Sequence, residues 1–229
     1  IPNFHDSTLT QNTRASYPIE SIENRTDDST AGHPDNIVFL TCDAFGVLPP
    51  IARLSPAQAA YHFISGYTAK VAGTEIGITE PMATFSTCFG APFMPRHPSE
   101  YADLLIKKIA EHNASCWLIN TGWIAGGYGE SSRIRIKWTR SLLNAALSGA
   151  LDDVVYVTDE RFGFKIPATC DGVPSEILQP RSTWANTELY DNVANVLVQM
   201  FNENFESFAE GCNDEVKAAA PRIYETQSL

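Results

Sequence analysis

The alternation of short, uninterrupted apolar runs with longer segments of helical periodicity is the feature that most constrains the fold. Residues 37–40 and 116–119 are four-residue apolar runs, which are typical of strands buried on both faces. Residues 84–89 and 154–157 are also predicted strands. Between these runs, apolar side chains recur every three or four positions, as in amphipathic helices. The alternation predicts an α/β fold with a mixed sheet flanked by helices.

Helix boundaries are marked by residue types that begin or end helices. Ser55 and Pro56 are typical of an N-cap and a first helical residue, and the apolar stripe that follows, through Tyr67, predicts a helix of about four turns. Three further helices are predicted by their periodicity, over residues 98–113, 138–151 and 187–208.

The chain divides by composition near residue 36. Residues 1–35 are rich in Asn, Asp, Ser and Thr and contain Pro2, Pro18 and Pro34, so they are predicted to be an extended surface segment. Residues 36–229 are predicted to form one domain. Because the chain starts on a polar stretch without Met, we expect it to be the trailing part of a longer polypeptide.

Charge and cysteine usage narrow the function classes. The chain has 16 Lys and Arg against 27 Asp and Glu, a formal charge of −11, which argues against general nucleic-acid binding. The five cysteines form no Cys-x-x-Cys motif, so buried thiols in a reducing compartment are expected. No apolar run approaches the length of a membrane span, and a cytoplasmic location is predicted.

A basic cluster follows a glycine-rich loop at residues 125–129. Arg133, Arg135, Lys137 and Arg140 lie within eight positions and precede a predicted helix. Guanidinium groups, backbone N–H groups and a helix N-terminus could together face one phosphate-bearing ligand. The alternative is a strand whose basic side chains alternate in water. The loop matches neither a Walker A motif nor a dinucleotide-binding motif, so the residues alone leave both interpretations open.

Several segments together resemble one protein family. FLTCDAFGVLPP at 39–50 and YHFISGYTAK at 61–70 closely resemble the ATP-dependent phosphoenolpyruvate carboxykinases. The resemblance covers essentially the whole chain, as the C-terminal part of such an enzyme, and continues through residues 72–75, 78–81, 88–90, 120–123 and 173–178.

The resemblance implies a fold and a reaction. Residues 36–229 would be the C-terminal, mononucleotide-binding domain, and residues 1–35 would include an extended active-site segment. The family converts oxaloacetate and ATP to phosphoenolpyruvate, CO2 and ADP in gluconeogenesis, using Mg²⁺ with the nucleotide and a second metal, usually Mn²⁺. The alternative is a non-catalytic nucleotide-binding or interaction module that keeps the carboxykinase fold.

The resemblance also implies roles for four residues. Arg14, in Asn-Thr-Arg, would contact the transferred phosphoryl group, the nucleotide and the substrate. Arg133, Ile134 and Thr139 would line the adenine side of the ATP site. The family's phosphate-binding loop and metal ligands belong to an upstream part, which would therefore be this chain's partner. We expect no metal ligand in residues 1–229 and no turnover by this chain alone, and the oligomeric state stays open.

Overall fold

The computed structural model describes residues 16–71 and 77–224. Its central feature is a five-stranded mixed sheet with the order β1-β5-β2-β9-β8, and β3–β4 and β6–β7 form two small antiparallel pairs. Within the main sheet, β1 and β5 are parallel and the other pairs are antiparallel. The strands are β1 Asn36–Thr41, β2 Ile51–Leu54, β3 Tyr67–Lys70, β4 Met82–Phe85, β5 Ser115–Asn120, β6 Trp123–Ile124, β7 Ser132–Arg133, β8 Tyr156–Thr158 and β9 Lys165–Pro167.

Helices flank this sheet, so the predicted α/β class is confirmed. The α-helices are α1 Pro56–Ser65, α2 Pro98–His112, α3 Ile136–Leu147, α4 Pro180–Thr183, α5 Thr187–Glu206 and α6 Asp214–Ala218. The predictions for α2 and α5 were correct to within two residues, because each begins at a good N-terminal signal and keeps its period throughout.

Helix α1 is shorter than predicted. A capping box starts it, with the Ser55 side chain accepting from the Gln58 N–H and the Gln58 side chain accepting from the Ser55 N–H. Gly66 ends it in the left-handed conformation at φ 56°, which glycine adopts without strain. Tyr67, predicted to belong to the helix, therefore begins β3.

Three other predictions need correction. The strand predicted at 84–89 ends at Phe85, because Cys88 has a φ of 55° inside a 3-10 turn. Helix α3 begins two residues earlier than predicted and ends at Leu147. The strand predicted at 154–157 is displaced to Tyr156–Thr158.

A large apolar core lies between the sheet and its helices. Aromatic rings from distant parts of the chain meet there: Tyr61 of α1 lies 4.5 Å from Phe205 of α5, measured between ring centroids. His62 is enclosed in the same core, and burial lowers its pKa to about 3, so the ring is neutral. Among the described residues, no helix is long and apolar enough to cross a membrane.

Candidate functional site

The site is built where β1 and β5 end. Their parallel register runs from Asn36 opposite Ser115 to Thr41 opposite Asn120, so both carboxyl ends lie at the same edge of the sheet. Ligands of open α/β sheets bind in the crevice outside such ends. The loops that follow β1 and β5 therefore define the first place to look for a ligand.

Asn120, the last residue of β5, connects the loop after β1 with the loop after β5 through side-chain hydrogen bonds. Its side-chain oxygen accepts hydrogen bonds from the backbone N–H groups of Asp43, at 3.0 Å, and Gly122, at 2.8 Å. Its amide nitrogen donates to the carbonyl of Leu48 at 3.0 Å. The side chain is fully buried, so these bonds fix the course of both loops.

Asp43 organises the loop after β1 in the same way. Its carboxylate accepts from the backbone N–H groups of Phe45, Val47 and Leu48 at 2.7–2.9 Å and from the Tyr67 hydroxyl at 2.9 Å. Burial raises the pKa of the Asp43 carboxyl, and the hydrogen bonds donated to it oppose that rise. With both oxygens engaged by the chain's own donors, Asp43 is an anchor for the loop.

The glycine-rich loop packs against the loop held by Asp43. The Tyr128 N–H donates to the Ala44 carbonyl at 3.0 Å. Gly46 has a φ of 76°, and a Cβ there would lie 2.0 Å from the Gly126 carbonyl oxygen. A side chain at Gly46 would therefore push the two loops apart.

Arg133 lies on the hairpin β6–β7, directly after the glycine-rich loop. Its Nε donates to the Thr121 carbonyl at 3.0 Å, and an Nη2 contact reaches the Cys42 sulfur at 3.8 Å. The guanidinium also lies 5.4 Å from the centroid of the Trp123 ring. These contacts leave Nη1 without a partner among residues 16–71 and 77–224. Arg133 is thus held in place, and the N–H groups of its Nη1 atom are left for a ligand.

A cavity of about 450 Å³ opens beside Arg133. Its aromatic wall consists of Trp123 and Tyr128, whose rings meet edge to face at 5.5 Å. The Ser131 hydroxyl, on the same wall, donates to the Gly126 carbonyl at 2.5 Å and so closes the loop. Tyr128 is 41% exposed and Trp123 only 4%, so Tyr128 supplies most of the aromatic surface open to a planar ring, and Arg133 suits an anion. Its lining residues are Trp123, Tyr128, Gly129, Ser131, Ser132 and Arg133.

The other members of the basic cluster do not line this cavity. Arg135 and Lys137 both lie over the ring of Trp138, with the Arg135 guanidinium 4.9 Å from its centroid. Arg140 is exposed on α3. The structure therefore splits the cluster, with one Arg at the cavity and the rest at the start of α3.

Ile134 and Thr139 have surroundings different from those of Arg133. Ile134 is 4% exposed, and its N–H donates to the Gly122 carbonyl at 2.8 Å, so its side chain belongs to the core. Thr139 is half-buried in the first turn of α3, where its N–H donates to the Arg135 carbonyl. Of these two and Arg133, only Arg133 lines the cavity in the described structure.

Comparison with known proteins supplies the family. The sequence model of the phosphoenolpyruvate carboxykinase family matches residues 1–176 of this chain. A phosphoenolpyruvate carboxykinase (ATP) of Brucella anthropi is 60% identical over 222 residues, which are 97% of this chain and 41% of that protein. The Mesorhizobium japonicum protein of the same name is 59% identical over 225 residues, 98% of this chain and 42% of its own length.

The chain belongs to the phosphoenolpyruvate carboxykinase family. It corresponds to the C-terminal part of these curated relatives and spans about two fifths of their length. The resemblance seen in the sequence is thereby confirmed.

Two implications of carboxykinase membership fall partly beyond the described structure. Arg14 lies outside the described residues, so its role stays a prediction. Among residues 16–71 and 77–224, no three His, Cys, Asp or Glu side chains are grouped so that they could hold a metal ion.

Sequence reasoning missed the aromatic wall of the cavity. Trp123 and Tyr128 flank the glycine-rich loop, and their positions on either side of it were the available signal. It also missed the Asn120–Asp43 anchor, since those two residues are 77 positions apart in sequence. The sequence also showed no sign that Cys42 contacts Arg133. Burial raises the pKa of the Cys42 thiol, although the Arg133 guanidinium opposes that shift.

Proposed function

We propose that this chain is the nucleotide-binding part of an ATP-dependent phosphoenolpyruvate carboxykinase, with the cavity beside Arg133 as its nucleotide site. The complete enzyme would convert oxaloacetate and ATP to phosphoenolpyruvate, CO2 and ADP. The single observation that carries the proposal is the fixed guanidinium of Arg133 beside an aromatic cavity of about 450 Å³.

The residues suit the parts of a nucleotide differently. ATP supplies the phosphoryl group that is transferred. Tyr128, packed edge to face with the buried Trp123, offers aromatic surface to a planar base, and the Nη1 group of Arg133 offers a charged donor. Ile134 and Thr139 are proposed to belong, with Arg133, to the adenine side of the site. Because the Asn120 anchor holds the loops in place beforehand, binding would cost little reorganisation.

Arg14 is proposed to contact the transferred phosphoryl group and the substrate. Arg is permanently charged and planar, and it can donate to two oxygens at once. Phosphoryl transfer spreads charge over the equatorial oxygens, so such a group stabilises the transition state more than the bound substrate. Loss of Arg14 should therefore lower kcat more than it raises the KM for ATP.

The proposal assigns the metals to the upstream part of the enzyme. Mg²⁺ and Mn²⁺, which the family implies, would take their ligands there, and that part is this chain's proposed partner. A cytoplasmic location is also proposed, and the five cysteines support it because each is a buried free thiol, as expected in a reducing compartment.

ATP binding to this chain, measured by isothermal titration calorimetry, tests the site. Arg133→Ala should raise the Kd by roughly 10- to 100-fold, because a hydrogen bond to a charged group contributes about 1.5–3 kcal/mol. Arg140→Ala is the matched control, since Arg140 belongs to the same basic cluster but is exposed on α3. Equal losses in the two variants would contradict the assignment of the cavity.

A second assay tests the reaction and separates it from a pure binding role. Oxaloacetate-dependent phosphoenolpyruvate formation should be absent with this chain alone and present when the upstream part of the Brucella anthropi relative is joined to it. Turnover by the 229-residue chain alone would contradict the proposal that the upstream part of the enzyme is needed for the reaction. ATP binding without any turnover in the joined protein would favour the binding module.

A further inference from the structure

The loop that follows β1 accepts two hydrogen bonds from a distant part of the chain. The indole N–H of Trp184, between α4 and α5, donates to the Gly46 carbonyl at 3.0 Å, across 138 positions of sequence. The hydroxyl of Tyr190, on α5, donates to the next carbonyl, that of Val47, at 3.1 Å. Trp184 is 8% exposed and Tyr190 is 2% exposed, so water is poorly placed to replace either donor.

These two donors complete the hydrogen bonding of the loop. The Asp43 carboxylate accepts from three of its backbone N–H groups. Trp184 and Tyr190 satisfy two of its carbonyls. A buried carbonyl that loses its donor raises the free energy of the loop in its present course. Loss of either donor should therefore let the loop shift.

The part of the chain that carries the donors is itself firmly held. Asp191, next to Tyr190, forms ion pairs with Arg161 at 2.6 Å and with Arg181 at 2.9 Å. The Arg161 guanidinium also lies 5.5 Å from the centroid of the Tyr190 ring. The rings of Trp184 and Tyr190 meet edge to face at 5.7 Å. Because charged hydrogen bonds are stronger than neutral ones, the start of α5 presents both donors in a fixed position.

The loop after β1 in turn sets the position of the glycine-rich loop. Gly46 lies so close to Gly126 that no side chain fits between them, and the Tyr128 N–H donates to the Ala44 carbonyl at 3.0 Å. A second cavity, of about 330 Å³, borders both Trp184 and Tyr128. Because this empty space lies beside the glycine-rich loop, side-chain packing does not hold the loop on that side, and its contacts with the loop after β1 have to do so.

We infer that Trp184 and Tyr190 are positioning residues for nucleotide binding. Through two carbonyls of the loop after β1, they hold the glycine-rich loop, and with it Tyr128, in the position that binds ATP. Neither side chain lines the nucleotide cavity, so both act through the loops. The inference rests on the proposed function for the identity of the ligand. The alternative is that both are ordinary buried donors, whose loss would lower stability and leave the affinity for ATP unchanged.

Tyr190→Phe and Tyr61→Phe form a matched pair of variants that decides between these interpretations. Each removes one buried hydroxyl and keeps the ring, and the Tyr61 hydroxyl donates to the Phe201 carbonyl at 3.3 Å in the core. In calorimetry, Tyr190→Phe should raise the Kd for ATP roughly 3- to 10-fold, since the free energy of one neutral hydrogen bond sets the upper limit. Tyr61→Phe should leave the Kd unchanged, although thermal unfolding should show a similar fall in Tm for both variants. The same rise of the Kd in both variants would refute the inference.

The Tyr128 amide reports the position of the glycine-rich loop without any ligand. Its hydrogen–deuterium exchange should become about 10-fold faster in Tyr190→Phe and in Trp184→Phe, because the loop opens more often. Tyr61→Phe should exchange this amide at the original rate. An unchanged rate in both of the other variants would overturn the inference.

Steady-state kinetics of the protein joined to the upstream part give a further test. Tyr190→Phe should raise the KM for ATP and change kcat less than about 2-fold, because the loop contacts hold the nucleotide equally before and during the reaction. A fall in kcat with an unchanged KM would contradict a role in positioning the nucleotide site.

The outcomes separate this inference from the proposed function. If the original chain bound no ATP, the proposed nucleotide site would be wrong, and faster exchange of the Tyr128 amide in the variants would still support the positioning of the loop. If the original chain bound ATP and Tyr190→Phe bound it equally well, the nucleotide site would stand and the inference would be wrong.

Discussion

Replacing Asn120 by Ala should destabilise the protein more than any exposed substitution near the site. The change removes one acceptor of two backbone N–H groups and one donor to the Leu48 carbonyl, all in a fully buried setting. A buried group left without a partner costs about 1–3 kcal/mol, so the three together cost about 3 kcal/mol at the low end. For a chain of this size that loss lowers Tm by roughly 6–12 °C.

Urea unfolding followed by circular dichroism measures the free energy directly, and thermal unfolding gives the Tm. Asn144→Ala is the matched control, because Asn144 is exposed on α3 and should change stability by less than about 0.5 kcal/mol. The Asn120 variant should also bind ATP more weakly, because the loops that form the cavity are no longer fastened. A loss of stability below about 1 kcal/mol, or an equal loss in the control, would refute the reasoning.

Three further predictions concern other parts of the structure. Hydrogen bonds from Arg181 and, to a smaller extent, Arg161 hold the pKa of the Asp191 carboxyl below its ordinary value of 3.8. The ionised carboxylate therefore contributes its full stabilisation above pH 3.8, and this stabilisation is lost as the pH falls below that value. Asp191→Asn should lower the free energy of unfolding, measured in urea at neutral pH, by about 3–5 kcal/mol, because it leaves the buried Arg161 without its carboxylate. The variant should also lose less stability than the original protein as the pH falls, and an unchanged dependence on acid pH would contradict this. Gly46→Ala should weaken ATP binding and lower Tm, because its Cβ would meet the Gly126 carbonyl, and normal values of both would contradict the loop contact. Tyr128→Ala should raise the Kd for ATP about 2- to 10-fold in calorimetry with little change in Tm, since the ring lines the cavity and is 41% exposed; an unchanged Kd would remove it from the site.

Much of the fold could be predicted because its largest elements carry strong local signals. Strands β1 and β5 are uninterrupted apolar runs, and α2 and α5 keep a helical period over 15 and 20 residues. Strands β2, β3 and β9 were missed, since each has only three or four residues and follows closely on a Pro or Gly. Elements that short are defined by their pairing partners and carry too few residues to show a period.

The candidate site was partly predictable for a related reason. Arg133 stands in a dense run of positive charge within an acidic chain, and the family resemblance pointed to it as well. The residues that hold its surroundings gave no such signal. Asn120 forms hydrogen bonds with backbone groups of Asp43 and Leu48, which lie more than 70 positions earlier in the chain. The parallel pairing of β1 with β5 brings these residues together.

The parallel pairing of β1 and β5 also sets an order of events during synthesis. On the ribosome, the last residue of β5 is made about 80 residues after the last residue of β1, a delay of about 4–16 s at ordinary rates of translation. Through that interval the most apolar strand of the sheet is present without the neighbour it has here. We expect nascent β1 to be sensitive to proteolysis until β5 has emerged, and to become protected once the two strands can pair.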